Sequence, residues 1–444
     1  MRLVRLQALV ESLRGSFWLV PSTAVVVALA AGLLLPRVGV SQEGVLADYL
    51  FNGGAEGARG MLQAIAGSVI TVTSLTFSLT IVTLQLASSQ FSPRLLRSFL
   101  RDLRNQAVLG VLLATFLYSL TVLRTVRAGD QGSDDVVPQL AVTVAYGLAL
   151  ASVGALVWFI QHIVDVIRVD TLMADVRAET AAVIDEIYPG DGEPAGPDGA
   201  VWTLDVAPPP VPPDAVPLPA PASGFLLAVD TASLCAWAEE RAVVVSVEAA
   251  PGTWLLRGAP WAQVWSEDPS APLDGVTGEI RERVAIGNER TAQQDARHGI
   301  TQLVDIAGKS LSPGINDPTT AVHAVGHVSD LLAQLTGRRL GALTLRDGSG
   351  ALRVVVQRAT FADFLELACG QVRRYGAAEP AVVHALLDLL AGVGGQLHDG
   401  QRQEAVRAQV AALAADARRL IASAHDLGRV LEHVAAVESS LATA

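Results

Sequence analysis

The chain has 444 residues, a formal net charge of -12, and 17% charged against 51% hydrophobic residues, with a mean hydropathy of +0.40. So apolar a composition excludes a single ordinary soluble domain. Its acid excess, with the arginines gathered beside apolar runs, excludes a nucleic-acid-binding face.

The apolar residues gather into four runs, at about residues 17–35, 61–87, 107–123 and 137–167. Each is long enough to cross a hydrocarbon core of about 30 Å as a helix, so residues 1–170 read as an α-helical membrane domain. Pro21 is tolerable in the first turn of the first run. That run reads as an anchor and not a cleaved signal, because the stretch before it is long and no small-x-small site follows Leu35. Arg2, Arg5 and Arg14 precede the first run, and Arg94, Arg97, Arg101 and Arg104 lie between the second and third. The opposite loops carry only Arg37, Arg59, Arg124 and Arg127, diluted by acids. The positive-inside rule then predicts that both termini and everything after the fourth run face the cytoplasm.

In the second run, successive turns of about 100° per residue place the hydroxyl residues on two lines. Gly67, Thr71, Ser74, Ser78 and Gln85 form one; Thr73, Thr76, Thr80 and Thr83 form another on nearly the opposite face. Two readings stay open. The hydroxyls bond back to their own helix and glue neighbouring helices, or one line packs on sister helices while the other lines a hydrated path for an inorganic ion. Ser92 and Pro93 then predict a new helix start. Arg94, Arg97, Arg101 and Arg104 recur on one face of it, as in a helix lying among anionic lipid headgroups or as in a vestibule that concentrates anions.

Residues 189–222 are dense in proline and read as an extended linker. Residues 223–266 predict a small β module: a strand, a short helix at 234–241, a strand at 243–247, and further strands. Within it, residues 251–260 resemble the hairpins of biotinyl and lipoyl carrier modules but lack the attachment lysine, so no swinging cofactor is expected. Residues 277–444 read as a mostly helical domain, beginning with one helix from 278 to about 310. The turn Ser312-Pro313-Gly314-Ile315-Asn316-Asp317-Pro318 ends that helix, and Asn316 or Asp317 caps the next. Glu289, Arg290, Gln294, Asp295, Gln302, Asp305, Asn316 and Asp317 crowd toward this break. They read as a solvated face, a subunit contact or a pocket for a polar ligand, and a charged pocket needs its members paired. Residues 339–358 predict a hairpin turning at Asp347-Gly348-Ser349-Gly350, residues 361–375 an amphipathic helix, and residues 381–397 and 404–441 packing or self-association helices.

Gly308-Lys309-Ser310 ends like a phosphate-binding loop, but Leu303 stands where its first glycine is required. His323, His327 and Asp330 have spacing for a divalent metal without the glutamate of a zinc protease, and no metal is assigned. Ser312 lacks a nucleophile elbow. Cys235 and Cys369 lie far apart without metal spacing, as in a reducing compartment. No catalytic constellation or cofactor site emerges, so an enzyme is not expected.

The second run ending in Leu84-Gln85-Leu86-Ala87-Ser88-Ser89-Gln90-Phe91-Ser92-Pro93-Arg94, the string Gln302-Leu303-Val304-Asp305-Ile306-Ala307 and the turn at residues 312–321 resemble a family of bacterial predicted membrane proteins known as domain of unknown function 2254. The resemblance covers nearly the whole chain, and its pattern also takes in Glu289-Arg290-Thr291 and Gln294-Asp295 but not His323 or His327. It implies several spans followed by a cytoplasmic domain in a bacterial inner membrane, and no established activity. Physical reasoning leads to a homo-oligomeric channel whose cytoplasmic domain gates or senses. The reading from another class is a membrane-anchored ligand-binding or scaffold protein without a pore.

Overall fold

A computed structural model describes residues 18–38, 50–90, 103–127, 136–166, 168–190, 200–202, 210–266 and 276–443. The chain divides into two compact units between Arg168 and Val169.

The first unit is a helix bundle. Helix α1 covers Leu19–Leu34 and tightens into a 3-10 turn over Leu35–Arg37; α2 covers Ala55–Gln90, α3 Leu103–Leu123 and α4 Gln139–Val166. All four are long and apolar enough to span a bilayer. Helix α2 begins at Ala55, ahead of the start at residue 61 that hydropathy gives, because its Ala-Glu-Gly-Ala-Arg-Gly opening is polar yet helical. Its 36 residues reach about 54 Å, well beyond the hydrocarbon thickness. Helix α3 packs on the other three. Gly110 admits the close approach of α1, since a Cβ there would stand 3.2 Å from that of Ala24. Leu62, Ile65, Val108, Leu112, Val142 and Phe159 fill the core. The Arg59 guanidinium donates to the Val126 carbonyl at 3.1 Å, and the Phe51 amide donates to Thr143 Oγ1 at 2.9 Å.

The second unit is α+β. Helix α5 (Val169–Ile187) is followed by β1 (Ala200–Trp202), β2 (Val216–Pro219), β3 (Gly224–Val229), α6 (Thr231–Glu240), β4 (Val243–Val247), β5 (Trp254–Leu255), β6 (Pro260–Ser266), α7 (Val276–Arg281) and β7 (Val284–Gly287). Then come α8 (Ala296–Ser310), α9 (Pro318–Thr336), β8 (Leu343–Arg346), β9 (Leu352–Val356), α10 (Phe361–Gly376), α11 (Pro380–Gly394), α12 (Gly400–Leu420) and α13 (Ala424–Thr443). One sheet runs β1-β8-β9-β4-β6-β2, antiparallel except where β4 lies parallel to β9; a smaller one runs β5-β3-β7. All five residues of Val243-Val-Val-Ser-Val are buried, as β-branched residues in a central strand are.

Four sequence expectations change here. The proline-rich stretch 189–222 is not only linker: β1 pairs with β8 and β2 with β6, because sheet-edge strands accept proline where no ladder hydrogen bond is needed. The β module of 223–266 does not stand alone, since the 343–356 hairpin inserts β9 beside β4 and completes the sheet. No single helix runs from 278 to 310; Val284–Gly287 pairs with β3 as β7, the β-branched Val284 and Ile286 favouring an extended edge. The stretch 404–441 breaks at residues 421–423 between α12 and α13.

Helices α5 and α8 approach closely because Gly299 has no side chain. A Cβ there would collide with Thr180, whose Oγ1 is bonded back to the Val176 carbonyl at 2.6 Å. Gly299→Ala is expected to cost about 1–3 kcal/mol by overpacking, read as a lower apparent Tm of the full chain. Adding Thr180→Ala recovers part of the loss.

Candidate functional site

The two polar lines of α2 have opposite fates. Thr73, Thr76, Thr80 and Thr83 are buried in the bundle, whereas Thr71, Ser74, Ser78 and Gln85 are exposed. Back-bonding satisfies part of each line: Thr73 Oγ1 donates to the Val69 carbonyl at 2.7 Å, Thr80 Oγ1 to Thr76 at 2.8 Å and Thr71 Oγ1 to Gly67 at 2.9 Å. Thr76 Oγ1 is buried with no hydrogen-bond partner among the described residues. A cavity of about 270 Å³ between α1, α2 and α3 touches both lines through Thr73 and Ser74, with Trp18, Ile70, Phe77 and Leu113 making apolar wall.

The first turn of α3 buries Asn105 and Gln106, and neither polar atom of the Asn105 amide has a hydrogen-bond partner among the described residues. Further along α3, Thr115 Oγ1 and Ser152 Oγ of α4 lie 2.9 Å apart, and the Tyr118 hydroxyl donates to the Ala141 carbonyl at 3.0 Å. Counting equal numbers of residues from the Thr115–Ser152 contact, back along α3 and forward along α4, brings Asn105 to the level of His162. His162 is buried against the Trp158 ring. Helices α3 and α4 thus each bury a polar group at one depth, as polar residues that join helices in membrane bundles do.

Of the basic segment, Arg94, Arg97 and Arg101 lie outside the described residues; Arg104 is exposed on the first turn of α3.

In the second unit, the eight polar residues named from the sequence do not form one pocket. Glu289, Arg290, Gln294 and Asp295 precede α8, Gln302 and Asp305 lie along it, and Asn316 and Asp317 follow its far end. The 15 residues of α8 separate the outer groups by about 22 Å. Before α8, Arg290 Nε and Nη2 both donate to Asp295 Oδ2, at 2.9 and 2.6 Å, and Gln294 exchanges hydrogen bonds with the backbone of Val229. The turn at Gly252, φ +87°, presses on the Asp295 carboxylate with no room for a Cβ. Beyond α8, Asn316 takes a left-handed conformation, φ +51°, and Asp317 caps α9 by accepting from the Thr320 amide at 3.1 Å; that side-chain and backbone bonding to Thr320 holds its carboxyl below the usual range. The metal triplet is dispersed as well: His323 meets Asp170 at 3.3 Å and Asp330 meets Arg177 at 3.8 Å, and no group of metal-ligating residues occurs among the described ones.

Sequence reading missed Asn105 and His162, because hydropathy averages over single polar residues at the ends of apolar runs; the pairs Asn105-Gln106 and Gln161-His162 were the available signal. It also missed Tyr188 and Arg358. Burial pushes the Tyr188 phenol up to about 12 beside the Arg358 guanidinium, which donates to the Ile187 carbonyl at 2.9 Å.

The model of a family described as predicted membrane protein (DUF2254) matches residues 14–392. The chain belongs to this family. Uncharacterised mycobacterial proteins are similar to it throughout: Rv1290c of Mycobacterium tuberculosis strain H37Rv and Mb1321c of Mycobacterium bovis are each 38% identical over 432 residues, covering 96% of this chain and 81% of theirs. No solved structure matches. For this DUF2254 member the four apolar helices and the α+β unit are therefore the physical basis of any function.

Burial raises the Asp295 carboxyl, while Arg290 and then Arg297 pull it down. Arg290→Met removes the compensating charge and is expected to cost about 3–5 kcal/mol at neutral pH. A folded-state pKa raised above the unfolded 3.8 means the unfolded chain releases its proton first, so the variant loses stability as pH rises through that interval. Thermal denaturation of the variant at pH 5 and pH 8 checks the sign: the deficit is larger at pH 8.

Proposed function

We propose that the protein is a homo-oligomeric ion channel of the bacterial cytoplasmic membrane, with both termini inside and the α+β unit acting as a cytoplasmic gate or sensor. The observation that carries the reading is the outward polar line of α2. A protomer leaves Thr71, Ser74, Ser78 and Gln85 exposed along a helix whose exposed large apolar residues are Ile70, Leu75, Phe77, Leu79, Ile81 and Val82. Acyl chains offer a glutamine amide no hydrogen bonds, whereas sister subunits around an axis, or water within it, do. Gly67 heads the line with open space where a Cβ would be, which favours close approach of another helix. Neutral hydroxyls suit partly hydrated inorganic ions, and the exposed Arg104 suits anionic headgroups at the inner leaflet. This reading involves no catalysis and no nucleic acid.

Membrane-anchored ligand binding without a pore is the second reading. Asp295 Oδ1, Thr291 Oγ1 and Arg297 Nε are buried in one loop and helix start without hydrogen-bond partners among the described residues, the condition in which a polar ligand finds donors and acceptors waiting.

Ion flux into liposomes carrying the purified protein separates the two. A methanethiosulfonate reagent is expected to cut flux by about tenfold through Thr71→Cys and Ser74→Cys and to leave Thr76→Cys and Thr80→Cys unchanged, since one line faces the path and the other is packed. Absence of flux at every pH, voltage and tension, with a monomer in detergent, contradicts the channel and leaves the binding reading.

A further inference from the structure

At the C-terminal end of the second unit, His384 of α11 and His433 of α13 place their Nδ1 atoms 2.9 Å apart, with ring centroids 5.1 Å apart and planes 24° from parallel. The nitrogens are closer than the centroids by about a ring's width. Both Nδ1 atoms therefore lie near the line joining the rings, which meet edge to edge. Lone pairs aimed head-on leave no room for a metal ion between them, whereas they suit one hydrogen in an N–H···N bond. The far nitrogen of His433, Nε2, lies 3.2 Å from Asp388 Oδ1, one turn along α11 from His384. Neutral His433 thus carries its hydrogen on Nε2 toward the carboxylate, and its Nδ1 accepts from His384.

We propose that this pair is a proton-binding switch that holds α13 on α11 and releases it in acid. A first added proton goes to the outward Nε2 of His384 and leaves the bridging hydrogen in place. A second must go on the bridging Nδ1 of His433, so that two N–H groups on two cations face each other at hydrogen-bond distance. The docked pair refuses that proton; the separated rings accept it near the ordinary value of about 6.5. Undocked α13 binds more protons in that range, so docking is stable above it and weakens as pH falls through it.

The surrounding charges agree in sign. Burial, then His433 and Arg429 from α13, hold His384 below its usual range, and Asp388 on its own helix opposes them. What the switch releases is a modest apolar contact: α13 buries Val430, Val434, Val437 and Leu441, and Arg407 of α12 donates to the Leu441 carbonyl at 2.9 Å. The inference is independent of whether the membrane unit conducts ions.

Hydrogen exchange on the full chain in detergent micelles, corrected for the intrinsic rate, tests it. Peptides from α13 are expected to exchange about tenfold faster at pH 5.5 than at pH 7.5, with α10 unchanged. His384→Gln keeps a polar side chain without a second proton site and should abolish the difference; His433→Leu serves as the independent second variant. Equal protection of wild-type α13 at the two pH values overturns the proposal. So does an undiminished pH difference in either folded variant.

Discussion

Inside a bilayer no water relieves an unpaired polar group, and the architecture of the first unit follows from that constraint. Four helices satisfy their own backbones, and threonine and serine side chains return most of their hydroxyl hydrogens to carbonyls one turn back. What back-bonding cannot satisfy is handled by position. The Thr73–Thr83 line is buried within the bundle, as are Asn105 and His162, and Tyr118 reaches across to α4. The outward line of α2, Thr71, Ser74, Ser78 and Gln85, is what the bundle leaves uncovered.

The second unit obeys the aqueous version of the same rule. Its sheet is closed around β4 by strands drawn from distant parts of the chain, and its polar loop before α8 is held by the Arg290–Asp295 pair and the Gln294–Val229 backbone exchange. These contacts fix where α8 begins. Helix α8 ends at its C-cap Leu311, and after a short turn the left-handed Asn316 and the Asp317 cap start α9.

How much of this the sequence discloses depends on the range of the interactions. The four spans, the α6 helix, the Asp347 hairpin, the Asp317 cap and α10 are legible because each depends on local periodicity or on a turn residue at a fixed offset. Strand β7 inside an apparent helix, β1 and β2 inside an apparent linker, and the insertion of β9 beside β4 depend on partners far along the chain, and no local signal carries them. The two lines on α2 are legible as lines, since 100° per residue suffices. Which one is buried is not, because it depends on α3 and α4. The spread of the eight polar residues before, along and beyond α8 was hidden by reading residues 278–310 as one helix, which put Glu289, Arg290, Gln294 and Asp295 on a helix where the chain forms a loop.

The claim on which the account rests is that the outward polar line of α2 is covered by protein or water and not by lipid. A nitroxide placed at Ser74, at Ser78 and, as a lipid-facing reference, at the exposed Val157 of α4, in protein reconstituted into bilayers, reports collisions with dissolved oxygen and with a water-soluble nickel complex. The account predicts that both serine positions are poor in oxygen collisions relative to Val157, with nickel collisions raised where the line meets water. Oxygen-rich, nickel-excluded spectra at both serines, matching Val157, would contradict it.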